Sequence, residues 1–477
     1  MRSRFAIAAL IAGGLGLCAP GRAHGTDAIT PALEQLQKQM DQVLRENQKL
    51  REDLDEVRAA TQDNWLTEQR AAEIRSLVSD VLADADQRAS LLQNGMTAGW
   101  DDHFFLASAD NRFRIQLEGE LQFLWLYNTH EAPDRHRSGF ENHRTRLTLL
   151  GHVFKPEWTY YIQSGFSRDG GGGGNVTAGE IRGGDLFLYD AWFRWQLSNE
   201  WAFRFGQFKL PFGREELVGS QYQLAVERSL INESLNAGRS QGIELTYVDG
   251  TSRYQFAISD GFDDDLAQAG AIVGVSPPNT PSLDEDSEYA FTFRHERMLV
   301  GNWKQFEDFT SPPTDDFGLL LGVAAHAQMD EFGSGLFGIR NEDVAVGATV
   351  DVSAEFGGAS LFASGTYWYV DSANLGIADI YGFVVQGSMY VTPKTEIFSR
   401  FEFGGLDIAA LQFSKLYLVT FGTNYYLDGH DVKWTTDIGF GISQIEAIWA
   451  ANFAGYRNDL AGAEPQIVLR TQFQLLF

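Results

Sequence analysis

Two periods divide the chain. Between Ile29 and Val57 the apolar positions alternate in steps of four and three, with Leu33, Met40, Asn47 and Leu54 at heptad position a and Ile29, Leu36, Val43, Leu50 and Val57 at d. This phase predicts an α-helical coiled coil over 29–61; a single amphipathic helix lying on its own chain is the alternative. Glu46 with Arg51 and Asp53 with Arg58 offer opposite charges across a parallel, in-register seam. Asn47 at position a fixes that register at a cost in stability. A second amphipathic helical stretch is predicted over 64–95, where Ile74, Leu77, Val78, Val81, Leu82, Ala85, Ala89 and Leu92 follow a 3.6-residue spacing that stops at Asn94-Gly95.

After Trp100 the period becomes 2. From Arg112 to Tyr127 the odd positions are Phe113, Ile115, Leu117, Gly119, Leu121, Phe123, Trp125 and Tyr127, against Arg112, Arg114, Gln116, Glu118, Glu120 and Gln122 on the even ones. One apolar face and one charged face, over a length that crosses a bilayer when tilted, predict a transmembrane strand. The chain's end repeats the pattern from Ile467 to Phe477, with Arg470, Gln472 and Gln474 on the polar face. Between these two, fourteen further alternating runs can be counted, at 140–154, 157–168, 185–198, 201–208, 240–249, 252–261, 286–298, 316–329, 341–355, 358–370, 379–390, 394–404, 413–427 and 430–441. The expected fold is all-β, a 16-stranded antiparallel transmembrane barrel over 100–477. Its connections alternate between short turns such as Asn199-Glu200 and Asp428-Gly429 and long loops such as 209–239 and 442–465. Connection 299–315 breaks the alternation, which implies either an insertion on the short-turn side or a count wrong by one hairpin.

Composition agrees with a barrel in lipid. The 477 residues include 35 Phe, 16 Tyr, 11 Trp and 49 Gly, yet the mean hydropathy is −0.22. Many rings in a polar chain suit a wall that shows aromatics to lipid and polar groups to its interior. Arg2 and Arg4, the apolar run Phe5–Leu17 and the small-residue pattern Gly21-Arg22-Ala23 predict a signal peptide over 1–23. The single cysteine, Cys18, falls inside it, and a lipoprotein reading of that cysteine is poor because Leu17 precedes it. A net charge of −27 makes nucleic acid an unsuitable partner.

Other motifs add little. The Gly170–Gly174 run has no Lys-Ser/Thr after it, so it reads as a loop and not as a phosphate cradle. Asp263–Asp265 and Asp284–Asp286 read as solvated acid, with lipopolysaccharide-bridging cations as the alternative. The nine histidines are scattered without metal-ligand spacing, so neither metal nor cofactor is implied and an enzyme is not expected. A trimeric adhesin shares the coiled coil but not a barrel made by one long chain.

Phe104-Phe105, Ser108-Ala109-Asp110 and Leu117-Glu118-Gly119-Glu120-Leu121-Gln122, together with Gly206-Gln207-Phe208-Lys209-Leu210-Pro211-Phe212-Gly213 and Glu227-Arg228-Ser229, resemble the phosphate-selective porin O and P family. The resemblance covers about 100–477; the coiled coil lies outside it. It implies a homotrimer of sixteen-stranded barrels, a third exterior loop folded inward as a constriction, and basic residues that guide anions such as phosphate. Glu120 stands where the family typically has a basic residue.

Strand parity turns Arg114, Arg144, Arg146, Arg194, Arg204, Arg294, Arg400 and Arg470 toward the lumen, and Lys209, Arg214 and Arg228 sit on or beside loop 209–239. Arginines lining a pore favour anions. The competing reading pairs them with wall carboxylates such as Glu118, Glu120, Asp190, Glu296 and Glu402, which leaves a weakly selective diffusion pore. Phe477, closing an alternating strand, is the expected signal to the barrel assembly machinery. The other expected contacts are outer-membrane lipid, lipopolysaccharide and small anionic or neutral solutes, with the coiled coil in the periplasm.

Overall fold

The computed structural model describes residues 38, 40–46, 48–53, 55–56, 96–101, 103–129, 136–166, 186–262, 287–332, 341–372, 376–408, 414–446, 449, 454–459 and 465–477. The chain forms two compact units, 1–90 and 91–477. In the first, the described residues between 38 and 56 are helical, with Met40, Val43, Leu44 and Leu50 exposed. This is one short helix. Asn47, the expected signal peptide 1–23 and the expected helix 64–95 lie outside the described residues.

The second unit has eighteen strands: β1 (Met96–Asp101), β2 (His103–Ser108), β3 (Phe113–Thr129), β4 (His136–Val153), β5 (Lys155–Gly165), β6 (Phe187–Gln196), β7 (Trp201–Lys209), β8 (Arg239–Val248), β9 (Ser252–Ser259), β10 (Ser287–Val300), β11 (Gly318–Phe332), β12 (Asn341–Glu355), β13 (Ala359–Ser372), β14 (Gly376–Thr392), β15 (Thr395–Ile408), β16 (Ser414–Asp428), β17 (Val432–Gly441) and β18 (Ile467–Leu476). From β3 onward each pairs antiparallel with the next, and β18 returns to β3 from Ile467↔Thr129 to Leu476↔Glu120. Sixteen strands therefore close on themselves. Closure gives every barrel strand two neighbours, as the hydrocarbon interior of a membrane requires.

Alternation decides which face each side chain takes. Phe123, Phe193, Ile243, Phe256, Phe291, Val350, Phe421 and Phe473 point outward and are exposed, while polar or charged residues of the same strands turn in. At Gln122 the β3–β4 register shifts by one, Gln122 facing Arg144 and Phe123 facing Asn142. The extra residue is a bulge, and it turns both His143 and Arg144 inward, where they are buried.

Helix was expected to 95 and the barrel from 100, but β1 and β2 form an additional hairpin ahead of it. Its adjacent rings Phe104 and Phe105 hide the alternation. The hairpin has a topological task, because β18 ends beside Glu120 and leaves one edge of the start of β3 without a barrel neighbour. There β2 pairs instead, from Phe104↔Leu117 to Ala107↔Arg114. Phe477 ends the opposite side of this seam: its N–H and carbonyl bond Gly119 at 3.1 and 2.6 Å. The ring lies over Gly119, where an added Cβ would sit 2.4 Å from it, so only glycine fits.

Connection 301–317 settles the count. It is an insertion at the short-turn end, with a 3-10 turn at Trp303–Glu307, and no hairpin is missing. It folds inward, burying Phe306, Phe309 and Ser311, and the N–H groups of Gly357 and Gly358 bond Ser311. Those two glycines have φ of +65° and +108°, which other residues rarely adopt.

Candidate functional site

The segment after β7 enters the lumen. Along the run 206–213, Phe208, Leu210 and Phe212 alternate into a buried apolar cluster that also holds Ile231, Leu235, Trp368, Ile380, Val384 and Leu418. A short helix, Arg214–Leu217, and a second, Leu230–Leu235, follow. Ser229 caps the second, its hydroxyl accepting from Asn232 N at 2.9 Å. Loop backbone would be costly to bury without partners. The β10–β18 wall supplies them: Glu402 accepts from Leu230 N (2.6 Å), Asp437 from Val226 N (2.9 Å), and Arg294, Arg400 and Trp368 donate to the carbonyls of Phe212, Glu227 and Leu235. Loop 442–466 adds buried Trp449 and Tyr456 to the same side.

Most of the arginines that the sequence turns inward sit in ion pairs within this packing. Arg294 reaches Glu296 and Asp351, both at 2.9 Å, with no exposed surface. Arg470 holds Asp437 at 2.6 Å, Arg400 holds Glu402 at 2.8 Å, and Arg144 holds Glu227 at 2.6 Å. Arg146 lies 3.5 Å from Glu120 and donates to Ser220 at 2.7 Å. Arg214 donates to Ser353 and to the Phe306 carbonyl, tying the constriction loop to insertion 301–317. Arg204 pairs with Glu244 at 2.5 Å. Arg114, near the short-turn end, pairs with Asp101 at 2.7 Å and covers Phe105.

Lys209 and Arg228 both meet Glu216, each at 3.3 Å, and Arg239 spans Asp190 (3.0 Å) and Glu216 (3.9 Å). Three cations thus face two carboxylates. Burial alone would raise the Glu216 pKa, but Arg228, Lys209 and Arg239 outweigh it and hold it at about 2. Glu227 is likewise held well below the usual range, the cost of burial being overcome by Arg144 and His143.

Glu215, Glu227, Arg239 and His143 were not singled out as partners from sequence. The bulge that turns His143 to Glu227 has no sequence mark. The acids Glu215, Glu216, Glu227 and Glu233 are visible in loop 209–239, and their equal number to its cations Lys209, Arg214, Arg228 and Arg239 was the available signal.

The two sides of the lumen differ in access. On β10–β18 nearly all inward side chains among the described residues are buried. On β5, β6 and β7, Tyr161, Gln163, Trp192, Arg194 and Arg204 stay half-buried. Water therefore reaches inward side chains on this wall.

Residues 116–285 match the model of the family described as phosphate-selective porin O and P. An uncharacterised protein of Aquifex aeolicus (strain VF5) is 24% identical over 262 residues, which are 52% of this chain and 62% of the relative, less than two thirds of its length. Among solved structures, an anion-selective porin from Comamonas acidovorans is similar at 14% identity, covering 76% of this chain and 99% of that one with a TM-score of 0.49. Outer-membrane expressed OmpT of Vibrio cholerae follows at 12%, 76% and 97%, with a TM-score of 0.47. The outer membrane channel DcaP of Acinetobacter baumannii stands at 14%, 76% and 97%, with a TM-score of 0.46. Likeness at this level says nothing about the solute.

Proposed function

We propose that this chain, whose residues 116–285 carry the sequence of the phosphate-selective porin O and P family, is an outer-membrane channel for passive diffusion of small hydrophilic solutes, with a mild preference for anions. The supporting observation is the constriction, where Lys209, Arg228 and Arg239 face Glu216 and Asp190. Basic side chains outnumber acidic ones in this cluster by three to two. In a confined space of low dielectric such an excess acts more strongly than the acid of the exterior loops, which salt screens beyond about 8 Å. A planar-bilayer reversal potential in a potassium chloride gradient tests this. The expected sign is chloride over potassium, by a small factor; potassium preference overturns it.

A second reading is favoured by the buried pairs of Arg294, Arg400 and Arg470, whose charges are already neutralised. On that reading the barrel is a weakly selective general-diffusion pore, and phosphate has no special place. The same recording separates the two.

Assembly belongs to the proposal as well. Residues 1–23 direct export, and 29–61 form a periplasmic coiled coil that trimerises the barrel; the exposed Met40, Val43 and Leu50, at a and d positions, support this. Phe477 engages the assembly machinery. Removal of 29–61 should lower the temperature at which trimers dissociate in detergent, and an unchanged temperature counts against the role.

A further inference from the structure

We infer that the water-accessible wall of the lumen carries a binding site for aromatic monocarboxylates, in which Arg194 and Arg204 take the carboxylate and Trp192 beside Tyr161 meets the ring. The inference rests on the channel reading above. Arg194 and Arg204 are direct cross-strand neighbours on β6 and β7. Like charges so placed repel unless something neutralises them. Glu244 does this for Arg204. Arg194 has no carboxylate in ion-pair contact among the described residues, and the Nε–H groups of both arginines are buried without an acceptor. Two facing, half-buried guanidiniums with a single carboxylate between them mark a place for an oxyanion.

Charge selects the class of anion. Two guanidiniums and one carboxylate leave a single positive charge, which a monoanion neutralises and a phosphate dianion exceeds. Arg253, the next cation along the wall, meets Glu296 at 3.1 Å, a carboxylate that it shares with Arg294.

The rings select its body. Tyr161 and Trp192 stack at 5.2 Å and 7°. Phe208, Phe362, Trp368 and Phe398 also face inward but are buried, whereas Tyr161 and Trp192 are left half-open to water. Apolar ring surface on a wet wall gains by meeting an apolar solute. Arg204 lies 4.1 Å from the Phe208 ring and 5.6 Å from that of Trp192, and stacking of this kind holds a guanidinium in place for recognition.

The test is calorimetry of the full chain in detergent with benzoate, acetate and inorganic phosphate, alongside Trp192→Leu, Arg194→Gln and Arg194→Lys. Benzoate should bind at least tenfold more tightly than acetate or phosphate. Trp192→Leu should bring benzoate down to the acetate level, Arg194→Gln should abolish both, and Arg194→Lys should restore part. Gel mobility with and without heating checks that each variant forms a barrel. Equal binding of benzoate and acetate, tighter binding of phosphate, or an unaffected Trp192→Leu overturns the site. Because calorimetry needs no ion current, a chloride-preferring channel without benzoate selectivity refutes the site alone. Conversely, a potassium-preferring channel that binds benzoate through Trp192 and Arg194 refutes only the anion preference.

Discussion

The lumen has a filled side and an open side, built from the same alternating strands. Along β10–β18 the inward charges bond one another and the backbone of the constriction loop, and apolar residues such as Trp368 and Val384 pack against Ile231 and Leu235. Along β5–β7 Tyr161, Gln163, Trp192, Arg194 and Arg204 keep contact with water, and Arg194 has no carboxylate partner among the described residues. The difference teaches that an inward arginine is not by itself a pore arginine. On the filled side it holds a loop, and on the open side Arg194 keeps contact with water.

Substitutions on the two sides should therefore fail in different ways. Arg294→Ala should be the most damaging, since it strands Glu296 and Asp351 without their buried partner and frees the Phe212 carbonyl. Breaking such a pair costs about 3–5 kcal/mol. Thermal unfolding followed by circular dichroism should shift strongly downward, and unit conductance should rise as the loop loosens. An unshifted transition would mean that the loop stands without this anchor.

Acid is the next probe. The depressed carboxyls of Glu216 and Glu227 contribute stability in full above the ordinary Glu value of about 4.3 and lose it as pH falls through their lower folded values, about 2 for Glu216. Single-channel conductance should then stay constant from pH 7 to pH 4 and step upward only toward pH 2. A step already near pH 5 would show that these pairs do not hold the loop.

Ile231→Val removes one buried methylene from the filled side and should cost about 1 kcal/mol, read as a small fall in the denaturation midpoint with ion preference unchanged. The smallest effect on stability belongs to the open side. Arg194→Gln should change stability by no more than about 0.5 kcal/mol while moving the reversal potential toward potassium. If it destabilises as Arg294→Ala does, the two sides are not distinct.

Strand periodicity placed all sixteen barrel strands close to their observed bounds because the period-2 pattern is local and lipid enforces it on every strand. Phe113 to Thr129 shows this: Glu120, Gln122 and Asn128 are buried inside while Leu121 and Phe123 are exposed outside, and Leu124 and Leu126 are the apolar exceptions on the inward face. The hairpin β1–β2 was missed because its six-residue strands show too little alternation, and its reason for existing lies 370 residues away in the end of β18. The inward fold of loop 209–239 was expected from family resemblance and from its length. Its partners were not.

What the sequence alone determined is the wall: the number of strands, their faces, and the basic residues that point inward. Tertiary structure alone decided which of those residues remain available. Whether an arginine meets Glu227, Asp351 or Asp437 depends on where a loop comes to rest, and a one-residue bulge at His143 can redirect a side chain across the wall. Facing is set by the pleat, one residue at a time, whereas pairing is set by distances between segments far apart in the chain, and no local pattern encodes those.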